Sequence, residues 1–162
     1  MQARQEVFAY LEKMDIGYQV NEHPAVYTME EMEKLGLDKL GGIVKNLFLR
    51  DAKGRRHFLV MMCQDKKVDL KDLQGKIGST SLRFASEERL RKYLGLEKGA
   101  VSPLGIINDA EKAVEMVMDN DLKEFELLGV HPNDNTATLW LLRTDLEKII
   151  TDRGHQLICL DI

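Results

Sequence analysis

The chain has 162 residues, 44% hydrophobic and 31% charged, and a formal net charge of −4. This suits one globular domain with a sizeable core, spanning residues 1–162, and leaves little room for a second. No apolar run approaches the roughly 20 residues that cross a bilayer, and the amphipathic opening MQARQEVFAYLEKM is not a signal peptide, so a cytoplasmic protein without a membrane partner is expected. The acidic balance also excludes a broad phosphate-coating surface of the kind duplex binders use. Gripping only the end of an RNA needs a few placed cations; Lys39, Lys45, Lys66 and Lys67 are local candidates, although such lysines are ordinarily just solvated.

In chain order, Val7, Phe8, Leu11 and Met14 recur at helical spacing and predict a helix over about 2–14, with Gly17 at its exit. A short strand over 18–22 follows. Thr28 and Glu31 form a candidate capping box for a short helix closing at Gly36. IVKNLFLRD and RHFLVMMC, two apolar runs separated by Ala-Lys-Gly, predict a hairpin with Lys45 early on its first strand. Asp69 and Ser86 are placed to cap helices over about 70–77 and 87–94, ended by Gly78 and Gly95, with a strand through Leu82 and Phe84 between them. Strands are expected around AVEMVMD, FELLGV, TATLWLL and QLICLDI, and a helix opened by Thr144 with Glu147 before the last of these. Consecutive strands without intervening long helices favour an α+β domain around a mixed, mostly antiparallel sheet. The cysteines, Cys63 and Cys159, lie in apolar strand-like runs without metal-ligand spacing and read as buried free thiols.

Phosphate-loop, dinucleotide, zinc-protease, CxxC and nucleophile-elbow motifs are all absent. His23, His57, His131 and His155 include no pair at short spacing, so neither a metal site nor a cofactor is expected. Polar residues placed where propensity would not ask for them remain. Lys45-Asn46 interrupts an apolar strand; a buried lysine there needs an answering acceptor, while strand alternation equally allows it to face solvent. GAVSPLGIIND packs Gly99, Ser102, Pro103, Gly105, Asn108 and Asp109 into eleven residues, which suits either a loop whose N–H groups face a ligand or a plain connection. His131, Asn133, Asp134 and Asn135 fall in one turn, where Asx turns would equally explain the asparagines.

In their order and spacing, VKNLFLRD (44–51), the Gly-x-x-x-Pro loop (99–109) and HPNDNTAT (131–138), with the lead-in NEHPAVYTMEE (21–31), resemble the YbaK/ProX family of aminoacyl-tRNA editing proteins. That family is related to the editing domain of bacterial prolyl-tRNA synthetases. The likeness covers nearly the whole chain. It implies a mixed sheet partly closed into a barrel with helices outside, and a free-standing aminoacyl-tRNA hydrolase acting in trans. Asn46, where a cysteinyl-tRNA(Pro) branch typically has threonine, looks like the ProX/PrdX branch and makes Ala-tRNA(Pro) the expected substrate. Serine or cysteine esters are alternatives, as is a catalytically silent tRNA-binding or synthetase-associated module. The implied partners are the tRNA acceptor end and prolyl-tRNA synthetase.

An aminoacyl ester is already activated, so such an enzyme need only orient it, admit water and stabilise the oxyanion. On the family's pattern Lys45 binds the terminal phosphate or the reacting carbonyl region, and Asn46 orients the substrate amine or carbonyl. N–H groups from Gly99 to Gly105 hold the oxyanion and water. Ser102, Pro103 and Asn108 belong to the same substrate loop; Ser102 stands where threonine is common. His131 shapes the pocket or positions the terminal adenosine, with a general-base role left open. Val26 and Met29, with Met32 and Leu35, are candidate walls of the amino-acid pocket, although apolar residues so spaced are more often simple core.

Overall fold

The computed structural model describes residues 2–24 and 40–162, together with Glu30, Lys34 and Gly36. The candidate capping box at Thr28 and Glu31 lies outside them, as do Val26 and Met29. Helix α1 (Gln2–Lys13) buries Val7 and Leu11, one turn apart, and ends in a turn where Asp15 takes φ 57°. Strands β1 (Gln19–Glu22), β2 (Gly42–Arg50) and β3 (His57–Cys63) follow. The β2–β3 turn is closed by Asp51, whose Oδ1 accepts from the Arg55 and Arg56 amides at 2.8 and 3.2 Å. Helix α2 (Leu70–Ile77) starts at Asp69, which accepts from Lys71 N at 2.9 Å, and stops at Gly78 with φ 79°. After β4 (Arg83–Phe84), helix α3 (Glu87–Leu94) is capped by Ser86 in the same way and closed by Gly95. Each cap satisfies amides that the first turn leaves unpaired.

A 3-10 turn (Pro103–Asn108) leads into β5 (Val114–Asp119), a second 3-10 turn (Asn120–Glu124), β6 (Leu127–Val130), β7 (Ala137–Leu142), α4 (Arg143–Asp152) and β8 (Leu157–Leu160). Helix α4 begins one residue before Thr144. Strand β7 runs straight into it, Leu142 takes the cap position, and no side chain caps the helix. Cys63 and Cys159 are free but half-buried rather than buried, because each sits near the end of its strand.

The eight strands follow the order β1-β7-β6-β2-β3-β5-β8, with β4 beside β2. Pairings of β1 with β7, β6 with β7 and β2 with both β3 and β4 are antiparallel. Those of β2 with β6, β3 with β5 and β5 with β8 are parallel. The expected α+β architecture is therefore present, but among the described residues hydrogen bonds do not close the sheet into a barrel: β1 and β8 are its two ends.

The two faces of β2 meet different surroundings. Val44 and Phe48 join Leu59, Met61, Leu128, Val130, Leu139 and Leu141 in a core covered by α1, α3, α4 and the first 3-10 turn. Leu47 and Leu49, on the opposite face by the two-residue alternation of a strand, join Phe58, Val60, Met62 and Val117 beneath Leu73 of α2. Helix α2 covers only that end. Further towards the start of β2, the same face carries Lys45 and Ile43, the latter in register with Gly129, and here a cavity opens.

Candidate active site

The cavity encloses about 520 Å³. Its floor is the sheet face that α2 leaves free, with Ile43 and Lys45 from β2, Gly129 from β6, His131 just beyond it and Thr138 from β7; His23 and Gln64 complete that side. Gly129 is required by close approach: a Cβ there would lie 2.8 Å from the Trp140 ring and 3.1 Å from Thr138 Cγ2. The wall is Gly99 and Val101, from the loop ahead of the first 3-10 turn, with Asn135 beside Gly99. Gly99 holds φ 88°, a left-handed conformation that glycine adopts without strain.

Lys45 is half-buried, and its ammonium donates to the carbonyl oxygen of Lys66 at 3.0 Å. That bond answers the desolvation a lysine suffers in an apolar strand. Asn46 projects to the other face, and its Oδ1 is buried without a hydrogen-bond partner among the described residues. Both residues line the cavity because β2 has an open edge here. Strand β6 pairs with β2 only as far as Ile43, and β4 begins only at Leu49. Ile43 O accepts from Gln64 N on the β3 side, whereas Phe48 O accepts from Ala85 N on the other. Alternation between these fixed points turns the Asn46 N–H and C=O away from β3, to the unpaired edge.

His131 is positioned by a chain of polar contacts. Asp134 Oδ1 accepts from Thr136 N at 2.7 Å and also from its hydroxyl, closing an Asx turn. Arg4 of α1 donates to Thr136 Oγ1 at 2.6 Å, tying the first helix to this turn. The Thr136 hydroxyl and the Arg4 guanidinium hold the Asp134 carboxyl below the usual carboxylate range. His131 Nδ1 lies 3.1 Å from the Ala137 carbonyl oxygen, which can only accept, so this nitrogen carries a proton and Nε2 keeps its lone pair in the neutral ring. Burial lowers the His131 pKa, and the neighbouring His23 ring, 6.5 Å away between centroids, acts in the same direction. His23 in turn donates from Nδ1 to Pro24 O at 3.0 Å and accepts from the Thr138 hydroxyl at 2.9 Å.

Of the residues singled out in the sequence, Lys45, Asn46, Gly99, His131 and Asn135 meet at this cavity. Ser102, Pro103, Gly105 and Asn108 do not line it. Ser102 Oγ donates to His131 O at 2.6 Å and accepts from Leu104 N at 3.2 Å, so its side chain couples the loop to β6. Pro103 and Gly105 are buried in the 3-10 turn, where a Cβ on Gly105 would lie 2.7 Å from Leu96 Cδ1. Asn108 donates to Leu94 O at 2.9 Å, closing α3. Lys66, a candidate RNA cation, is occupied internally by Asp119 and Asp121. His23 and Thr138 lie inside the quoted segments 21–31 and 131–138 without being singled out, and Gln64 and Gly129 were not marked by the sequence at all. Gln64 follows an apolar strand as its first polar residue, which is a weak signal.

Residues 23–149 match the aminoacyl-tRNA editing domain family. The chain is 53% identical to the prolyl-tRNA editing protein ProX of Acetoanaerobium sticklandii, over 100% of this chain and 99% of that one. It is 37% identical to prolyl-tRNA synthetase associated domain-containing protein 1 of Xenopus laevis, over 97% and 95%. A crystal structure provisionally described as a trans-editing enzyme for prolyl tRNA synthetase shares the fold at TM-score 0.76 and 24% identity, covering 100% and 98%. The chain belongs to the aminoacyl-tRNA editing domain family, and with it to the ester hydrolases that deacylate aminoacyl-tRNA. Among the described residues, no helix is long and apolar enough to cross a membrane.

Proposed function

We propose that this protein hydrolyses Ala-tRNA(Pro) in the cytoplasm, as a trans-editing partner of prolyl-tRNA synthetase. The reading rests on one observation: Lys45, the unpaired Asn46 edge and a neutral His131 converge on a single open cavity. The Lys45 ammonium holds the terminal phosphate or the ester carbonyl. As water adds to that carbonyl, charge develops on its oxygen, and the Asn46 N–H and the amides at Gly99 are placed to receive it. His131 Nε2 accepts a hydrogen bond from the water or a terminal ribose hydroxyl. Collapse of the adduct releases alanine and leaves the proton on the ribose oxygen.

Alanine is favoured by two considerations. Asn46 stands where the resemblance separates alanyl from cysteinyl editing, and the 53% identical relative is a prolyl-tRNA editing protein. A synthetase pocket shaped for proline rejects smaller alanine by only about 1–3 kcal/mol, so a second site that admits alanine and excludes proline is needed. For the RNA, Arg50 and Arg83 stand directly opposite each other on β2 and β4, and neither forms an ion pair among the described residues. Like charges so placed repel unless an anion answers them. They lie about 17 Å along β2 from Lys45, within reach of an acceptor stem whose 3′ end occupies the cavity. First-order deacylation rates on one tRNA(Pro) charged with alanine, serine, cysteine or proline test the reading. Alanine should leave at least about tenfold faster than proline, since overpacking a pocket costs about 1–3 kcal/mol. Equal release of proline, or a strong preference for cysteine, would overturn the alanine assignment.

A further inference from the structure

Lys45 does not reach the cavity unsupported. Its ammonium is anchored on the carbonyl of Lys66, and the Lys66 ammonium is itself held by three acceptors. Its Nζ donates to Asp119 Oδ2 at 2.6 Å, Asp121 Oδ2 at 2.7 Å and the Ile162 carbonyl oxygen at 2.5 Å. Asp119 is fully buried at the end of β5, and its second oxygen accepts from Asp121 N at 3.2 Å and Ile162 N at 3.3 Å. The main chain of Lys66 is fixed as well, because Lys66 N donates to Cys63 O at 3.1 Å and closes the turn that leaves β3. The two ends of one residue thus do different jobs.

We infer that Lys66 is a positioning residue for Lys45: the Asp119–Asp121 grip on its side chain immobilises its carbonyl, which fixes the Lys45 ammonium at the cavity floor. Two features make this more than a surface ion pair. The acceptor for Lys45 is a main-chain oxygen, so nothing at Lys45 reveals the dependence. The hydrogen bonds to Asp119 and Asp121 raise the Lys66 pKa and keep its side chain charged, with two carboxylates to answer that charge, while Lys45 meets only its carbonyl. A lysine stem has four rotatable carbons, and holding one of its N–H groups leaves the other two to face a ligand in a restricted set of directions.

This inference rests on Lys45 acting in deacylation, and the test separates the two. In wild-type protein and in Lys66→Met, Lys66→Arg and Asp121→Asn, the Lys45 side-chain methylene signals are followed by carbon-13 NMR, assigned by their loss in Lys45→Arg. Deacylation of Ala-tRNA(Pro) is measured alongside. Lys66→Met should move the Lys45 signal towards the position of solvent-exposed lysines and lower kcat on the order of tenfold to a hundredfold, the penalty for a small misplacement. Lys66→Arg, which keeps a cation between the two carboxylates, should restore both. If burial of Asp119 without its partner prevents Lys66→Met from folding, Asp121→Asn loosens the grip at a half-exposed carboxylate and should shift the Lys45 signal with a few-fold loss of kcat. A folded Lys66→Met or Asp121→Asn protein with the Lys45 signal unmoved overturns the inference. Absent hydrolysis by the wild type would instead overturn the deacylase reading, with the NMR comparison still deciding the positioning role.

Discussion

The Nδ1 of His131 and the carbonyl oxygen of Ala137 stand 3.1 Å apart across the turn between β6 and β7, and this contact fixes which imidazole nitrogen faces outward. Because burial lowers the His131 pKa, the ring should stay neutral to lower pH than an ordinary histidine, near 6.5. Deacylation should therefore be level around neutrality and fall on an acid limb whose midpoint lies below that value. The limb should vanish in His131→Asn. A pH–rate profile of kcat/KM checks this; an acid limb unchanged by the substitution would remove His131 from the chemistry.

Stability follows from the same shift. His131 and His57 both have lowered folded pKa values, each chiefly through burial. The unfolded chain then binds more protons than the folded one once pH drops below about 6.5. Stability should decline as pH falls from that point towards the folded values and be unaffected by these groups above it. Urea midpoints across this range report it, and a rise in stability on acidification would contradict the assignment.

Lys45→Ala should reduce deacylation by about 10²–10³-fold, the usual cost of removing a preorganised electrostatic partner. The folded structure should survive, since the substitution removes a half-buried charge whose hydrogen bond is to a single carbonyl. Circular dichroism establishes the fold and single-turnover rates establish the loss. Near-normal turnover in a folded variant would exclude the proposed role.

Gly129→Ala places a methyl group against the buried Trp140 ring at 2.8 Å. Overpacking of this kind costs about 1–3 kcal/mol. Activity should fall as well, because Trp140 and Thr138 must shift beside the cavity floor. Thermal or urea denaturation, paired with deacylation rates, distinguishes this from a local effect confined to the site.

Exchanging Arg50 or Arg83 for glutamine should weaken binding of whole tRNA while leaving hydrolysis of a short aminoacylated CCA fragment intact. Each lost phosphate contact should flatten the dependence of log affinity on log salt by about 0.7–0.9. Unchanged salt slopes would show that these arginines do not meet phosphate.

The caps at Asp69 and Ser86 and the hairpin at Ala-Lys-Gly were legible because each is a local rule, written in adjacent residues. Lys45 and His131 were legible as polar residues in the wrong company. What could not be read was direction. The sequence places Ser102 in a promising loop, but its hydroxyl is spent on the His131 carbonyl, 29 residues away. Lys66 looks like an available surface cation until β5 brings Asp119 against it. Gly129 and Thr138 enter the site only through the pairing of β6 and β7, and Asn46 only because β6 and β4 leave β2 partly unpaired. These are long-range pairings, which no local pattern encodes.

Lys45 and Leu47 leave the same face of one strand two residues apart, a separation of about 7 Å. Within that span the surroundings change from an open cavity to an apolar interior sealed by Leu73. A chamber floor cast in one piece with the interior cannot be retuned independently of it. Variants that loosen the α2 contact, such as Leu73→Ala, should therefore impair turnover at temperatures well below those at which the protein melts. Heat inactivation of this enzyme would then begin as a fault in alignment rather than as a loss of fold.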